Sequence, residues 1–173
     1  QEGLRAKADL RAEDISLYIG IPFCPTRCAY CSFVSQAVEK SFGLMEPYLE
    51  VLLGEITRAA QMVEDLGLHI KSFYMGGGTP TTLSAGQMDR LLTHLNRSFD
   101  LSHCAEYCIE AGRPDTIDRE KLRVLLDHGC DRISVNPQSL EDSVLQAIGR
   151  RHTAADIEQT MGLATSMGFK HVN

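Results

Sequence analysis

"SLYIGIPFCPTRCAYC", Ser16–Cys31, sets an apolar, β-branched run directly against a loop holding three of the chain's six cysteines. The run Ser16–Ile21 puts Tyr18 and Gly20 on one face and Leu17, Ile19 and Ile21 on the other, the two-residue period of a strand with one apolar face. Helices cover such a face, so Tyr18 is expected to point inward, near whatever the cysteines hold. On spacing alone it serves equally well as an ordinary core tyrosine.

The same alternation repeats downstream. Tyr48, Leu49, Leu52, Leu53, Ile56, Ala60 and Val63 fall at helical spacing and stop near Gly67. Lys71–Met75 reads as a strand. Ser84–Gln87 has the capping-box pattern and opens a helix carrying Met88, Leu91, Leu92 and Leu95. Ala105–Ala111 is a third strand, and Asp118 caps a helix with Leu122, Leu125 and Leu126 that ends at Gly129. Asp131–Asn136 is a fourth strand, whose alternation puts Gln138 on one face with Ser134 and Asn136 while Ile133 and Val135 face out. Ser139 is expected to cap a short helix ending at Gly149, Thr153 another ending at Gly168, and Lys170–Asn173 to begin a fifth strand. Repeated strand and helix imply parallel strands with right-handed crossovers. A doubly wound sheet and a (β/α) barrel both fit. In either, chemistry gathers where the strands end. The cysteine loop, the stretch "GGGTPT" (Gly76–Thr81), Glu110 and Gln138 all fall at such ends, on one rim.

The totals narrow the class. The chain has 173 residues with 43% hydrophobic and 23% charged side chains, an ordinary globular balance. Its net charge of −6, from 17 basic and 23 acidic residues with no basic run, argues against a nucleic-acid surface. No apolar run is long enough for a membrane span, and "QEGLRAKADLRAED" is no signal peptide. A cytoplasmic, thiol-reducing setting is expected, where clustered cysteines suggest metal binding or catalysis over disulfides.

Cys24, Cys28 and Cys31 read C-x3-C-x2-C. Thiolates are soft ligands for iron–sulfur clusters, zinc or copper(I). Structural zinc wants four ligands, usually as two pairs, and no second pair lies downstream. A [4Fe–4S] cluster needs one ligand per iron, so three cysteines leave one iron open to bind a small molecule. A zinc loop or three structural cysteines are the bland alternatives. "GGGTPT" lets backbone approach a ligand closely. It lacks the Lys of a phosphate-binding loop and the spacing of a dinucleotide fingerprint; otherwise it is a tight turn. Cys104, Cys108 and Cys130 read as small buried hydrophobes, and the six His residues lie scattered in surface or supporting roles.

C-x3-C-x2-C with Tyr30 before the last cysteine resembles the radical S-adenosylmethionine (SAM) enzymes. The resemblance runs from about Ser16 to Asn173 and implies a partial (β/α)6 TIM-like barrel, cut after about the fifth strand. It implies a [4Fe–4S] cluster on Cys24, Cys28 and Cys31 whose open iron chelates the amino and carboxylate groups of SAM. One electron then passes to the sulfonium, and a 5′-deoxyadenosyl radical abstracts hydrogen. By the same resemblance Gly77, Gly78 and Thr79 hold the SAM amino end, and Tyr18, Tyr30, Glu110, Gln138 and Arg150 lie around SAM, with Arg150 suited to its carboxylate. Each has a plainer alternative: a core tyrosine, a solvated carboxylate, a surface arginine. His152 matches a common family position without an assigned role. No residue beyond the cluster is assigned as catalytic.

"YIGIPFC" with GGGTPT is similar to the oxygen-independent coproporphyrinogen III dehydrogenase (oxidase) group. That implies oxidative decarboxylation of coproporphyrinogen III in haem biosynthesis, a tetrapyrrole substrate, and an electron donor and acceptor. "CSFVSQ" (Cys31–Gln36) stands where well-studied dehydrogenases carry a further cysteine, and a C-x-F run occurs in related haem chaperones that bind haem instead. "EAGRPDT" (Glu110–Thr116) and "ISVNPQSL" (Ile133–Leu140) resemble a dehydrogenase-like subgroup of Gram-positive bacteria. The chain is expected to be a fragment: 1–15 a lead-in and 16–173 the first part of the core. It should be inactive alone and able to self-associate through an open sheet edge.

Overall fold

The computed structural model describes residues 10–33 and 36–173. Part of the expected lead-in (1–9) and two residues of CSFVSQ (34–35) lie outside them. Five parallel strands build one sheet: β1 (Asp14–Ile21), β4 (His69–Gly77), β5 (Glu106–Gly112), β6 (Arg132–Val135) and β7 (His171–Val172). A second, two-residue parallel pair, β2 (Phe23–Cys24) with β3 (Gln36–Ala37), pins the two ends of the cysteine loop. The sequence carries no alternation that would have announced β2 and β3.

In the main sheet every strand pairs with the next one in chain order, β1-β4-β5-β6-β7. A doubly wound sheet reverses direction partway, whereas a barrel never does. The order therefore decides for a partial (β/α) barrel, with five strands among the described residues. Helices α2 (Met45–Asp65), α3 (Ala85–Ser98), α4 (Arg119–Asp127) and α6 (Ala154–Met167) fill the crossovers. A turn, α1 (Val38–Ser41), precedes them and α5 (Asp142–Ala147) follows β6.

The core lies on the helix side of the sheet. Ile19, Ile21, Phe73, Met75, Ile109, Ile133 and Val135 are buried against Leu49, Leu52, Leu91, Leu92, Leu95, Leu122 and Leu125. The intervening strand residues, Tyr18, Tyr74 and Glu110, stand on the other, concave face. Local signals set the helix starts. Ser84 and Gln87 make a reciprocal capping box, Thr153 and Asp156 a second, and Asp118 accepts from the Lys121 amide at 2.8 Å. The expected cap of α5 is a correction: Glu141 stands at its N-cap, and Ser139 Oγ instead accepts from the Glu141 amide two residues on. Strand β4 begins two residues earlier than its apolar run suggests and continues into Gly76 and Gly77, because those glycines stay in register with Gly20 and Ile21 of β1.

Candidate functional site

The rim at the strand ends is assembled from two halves. The glycine half continues the sheet. Past β4 the Gly78 amide donates to the Ile21 carbonyl at 2.8 Å and the Thr79 amide to the Phe23 carbonyl at 2.8 Å. A Cβ on Gly78 would lie 2.7 Å from the Phe23 oxygen and 2.8 Å from the Ile21 oxygen, so only glycine lets the two backbones meet. Thr79 is buried by this pairing, and its Oγ1 donates to the Cys24 sulfur at 3.5 Å. Two motifs 55 residues apart thus touch at the first cysteine.

The cysteine half is a loop with little regular structure. The Cys31 amide donates to the Cys28 carbonyl at 3.1 Å, closing a turn, and Tyr30 stands more than half exposed. All three thiols are free and half-buried. Among the described residues no group of three or more His, Cys, Asp or Glu side chains is gathered closely enough to hold a metal ion. The donors are three soft thiols with no carboxylate drawn in among them, so their chemistry fits an iron–sulfur cluster. Closing on it requires the thiols to turn toward a common centre.

On the concave face, Tyr18 and Tyr74 stand opposite in register and stack, with ring centroids 6.1 Å apart and planes 11° from parallel. The Tyr74 hydroxyl donates to Glu110 Oε1 at 2.6 Å. Burial pushes the Tyr74 hydroxyl well above its ordinary range, and the Glu110 carboxylate, as acceptor and as charge, adds to that. Tyr18 is raised by burial first and by Glu110 second. Tyr18, Gly20, Phe33, Tyr48, Tyr74, Gly77 and Glu110 line a mainly apolar pocket of about 600 Å³ beside the cysteine loop. A second hollow of about 550 Å³, by His69, Phe99, Asp100 and His103, sits at the opposite end of the sheet and meets none of these residues.

Arg150 reaches the cysteine loop, where its Nη2 donates to the Tyr30 hydroxyl at 3.3 Å. Its Nε and Nη1 are buried without a hydrogen-bond partner in the protein, a donor pair that suits an anionic group. Gln138 is the residue whose placement departs from expectation. Strand β6 ends at Val135, and Gln138 is exposed with a left-handed φ of 66°, so strand alternation does not carry it onto the face of Ser134. Cys108 and Cys130 are buried and Cys104 half-buried, and burial raises all three thiols, as suits structural positions.

Sequence reasoning missed Arg113. It is 1% exposed, and its guanidinium bonds Thr26 of the cysteine loop. His152 is buried beside it, with Nε2 3.3 Å from the Pro137 carbonyl and Nδ1 3.8 Å from Asp115. An arginine before a proline reads as a surface turn, and its partner lies 87 residues upstream.

Residues 18–173 match the Radical SAM superfamily model. The chain is 42% identical over 162 residues to the oxygen-independent coproporphyrinogen-III oxidase-like protein HemZ of Bacillus subtilis, covering 93% of this chain and 32% of that protein. It is 35% identical to the heme chaperone HemW of the same organism, covering 91% of this chain and 41% of the chaperone. The solved structure of Escherichia coli coproporphyrinogen III oxidase (HemN), a radical SAM enzyme, superposes with a TM-score of 0.81 at 29% identity over 99% of this chain and 38% of that one. The chain therefore spans about a third to two fifths of the length of these relatives.

Proposed function

The chain belongs to the radical SAM superfamily, and on that premise we propose that it binds a [4Fe–4S] cluster through Cys24, Cys28 and Cys31 and cleaves SAM reductively, toward the oxidative decarboxylation of coproporphyrinogen III to protoporphyrinogen IX. The observation that carries this reading is the contact of Thr79 with Cys24, which joins the glycine-rich stretch to the cysteine loop in one site. When bound, the cluster and SAM supply one-electron reduction of a sulfonium and, from it, hydrogen-atom abstraction.

The chain's own residues bind and orient. Arg150 offers two unpartnered N–H donors to the SAM carboxylate. Gly77, Gly78 and Thr79 bring backbone and one hydroxyl to its amino end, and Tyr30 braces Arg150. Glu110, held by Tyr74, accepts from a donor on the ligand. Tyr18, Tyr48 and Tyr74 give the pocket an aromatic wall. Gln138, exposed on the turn after β6, adds a side-chain amide to this set. The reaction further needs an electron donor and an electron acceptor.

A second reading is a haem-binding chaperone that keeps the cluster and SAM site. The 35% identity to a heme chaperone supports it, and Phe33, 68% exposed at the mouth of the pocket, offers an apolar ring to a flat macrocycle. Anaerobic reconstitution of the full-length protein with iron, sulfide, SAM and reductant, followed by assay of coproporphyrinogen III, separates the two. Decarboxylated product supports the dehydrogenase. Stoichiometric haem binding without product supports the chaperone. A loaded cluster that never cleaves SAM sinks the dehydrogenase, and absence of haem binding sinks the chaperone.

A further inference from the structure

The turn after β5 holds a charged side chain that the chemistry above does not use. Arg113 is among the largest fully buried side chains of the described residues. Its Nη1 donates to the Thr26 carbonyl at 3.0 Å and its Nη2 to Thr26 Oγ1 at 2.9 Å. Its Nε donates to Asp115 Oδ1 at 3.3 Å, which balances the charge. Thr26 Oγ1 passes its own proton on to the Gly149 carbonyl at 2.9 Å. Close by, the Ala29 amide donates to the Ile148 carbonyl at 3.0 Å. Gly149 has a φ of +80°, and a Cβ there would lie 3.2 Å from the Arg27 carbonyl, so the loop rests flush on this turn.

We infer that Arg113 is the positioning residue of the cysteine loop: its guanidinium fork grips Thr26 and sets the backbone between Cys24 and Cys28 in the arrangement from which the thiols close on their metal group. A guanidinium is kept out of water only where its donors are met. Here two of its three partners belong to the loop, so the charge is buried to hold the loop rather than to fill the core. The backbone between the thiols is fixed at Thr26 and Ala29, so the three cysteines are presented from one held loop path. The fork matters, since lysine would bring one point charge to the same place. The identity of the metal group rests on the radical SAM reading; the clamp does not.

Hydrogen exchange of the apo protein, resolved by peptide, tests it. Arg113→Met should speed exchange of the segment from Cys24 to Phe33, which holds the bonded Ala29 and Cys31 amides, about tenfold, with α3 unchanged. Thr26→Val, which keeps the Thr26 carbonyl and removes only the hydroxyl partner of Arg113, should do the same, and the double variant should add little to either. Arg113→Lys should fall between. Iron per chain after anaerobic reconstitution should drop in the same order. Unchanged exchange in Thr26→Val, or additive effects in the double variant, overturns the clamp. Should Arg113→Met fail to fold, Thr26→Val and Arg113→Lys decide the matter alone. Expected exchange with no iron bound even by the wild type would leave the clamp standing and remove the proposed cluster on Cys24, Cys28 and Cys31. Iron bound equally by all variants would do the reverse.

Discussion

The two halves of the rim are held by different forces. Gly76–Thr79 is a continuation of the sheet, bonded backbone to backbone against β1 and Phe23, with no room for a side chain at Gly78. Cys24–Cys31 is pinned at its ends by the two-residue β2–β3 pair and between them hangs from side chains, chiefly the Arg113–Thr26 contact, and from one amide at Ala29. One half cannot move without breaking the fold. The other carries the three thiols. Damage to the first half should register as lost stability, and damage to the second as lost binding with the fold intact.

Gly78→Ala is the strongest attempt to break that contrast. Its Cβ meets two backbone oxygens, neither of which can rotate away, and a loss of about 3 kcal/mol is expected. A urea midpoint equal to that of the wild type would show that the glycine half is not locked. Tyr74→Phe removes the 2.6 Å bond to Glu110 on the partly open concave face and should cost about 1 kcal/mol in the same measurement.

The pH dependence follows from the same pair. Tyr74 and Tyr18 are both raised above the ordinary tyrosine value of 10.0. Above that pH their hydroxyls stay protonated in the folded state after the unfolded chain has released them. The folded state then holds more protons, so this contribution is fully present below pH 10.0 and is lost as pH climbs beyond it. In Tyr74→Phe the alkaline loss of stability should be shallower. An identical slope would show that Tyr74 does not take part.

On the hung half, Arg150→Gln should change the unfolding free energy, read from urea titration, by less than about 0.5 kcal/mol. SAM affinity, read by calorimetry on the reconstituted protein, should weaken roughly tenfold to a hundredfold. Cys28→Ser should be the quietest of all in stability, again under about 0.5 kcal/mol, while iron incorporation collapses. A large stability loss in Cys28→Ser would mean that the cysteine loop is part of the core after all.

What the amino acids disclose tracks the same division. Strand β1, the box at Ser84 and the caps at Thr153 and Asp118 are local, written in side chains within four residues of one another, and all are readable in advance. The singly wound order is not, since a doubly wound sheet carries the same alternation; it needs the pairing of β4 with β5 and of β5 with β6. The rim positions of Gly77, Gly78, Thr79 and Glu110 follow from strand ends. Gln138 was assigned by extending an alternation past Val135, where the backbone turns left-handed and the period ceases. Ser139 has the chemistry of a cap but stands two residues before the position that needed one. Arg113 and its Thr26 partner are invisible because nothing local marks a side chain whose acceptors arrive from so far along the chain.

That distance also fixes an order of events during synthesis. The anchors of the cysteine loop, Arg113 and Gly149, follow Thr26 by 87 and 123 residues. At roughly 5–20 residues per second, the thiols emerge from the ribosome about 4 to 25 seconds before the groups that steady them. For that interval Cys24, Cys28 and Cys31 lie on a nascent chain without those anchors. On the proposed cluster assignment, insertion into a prepared site belongs after translation of the fourth βα turn.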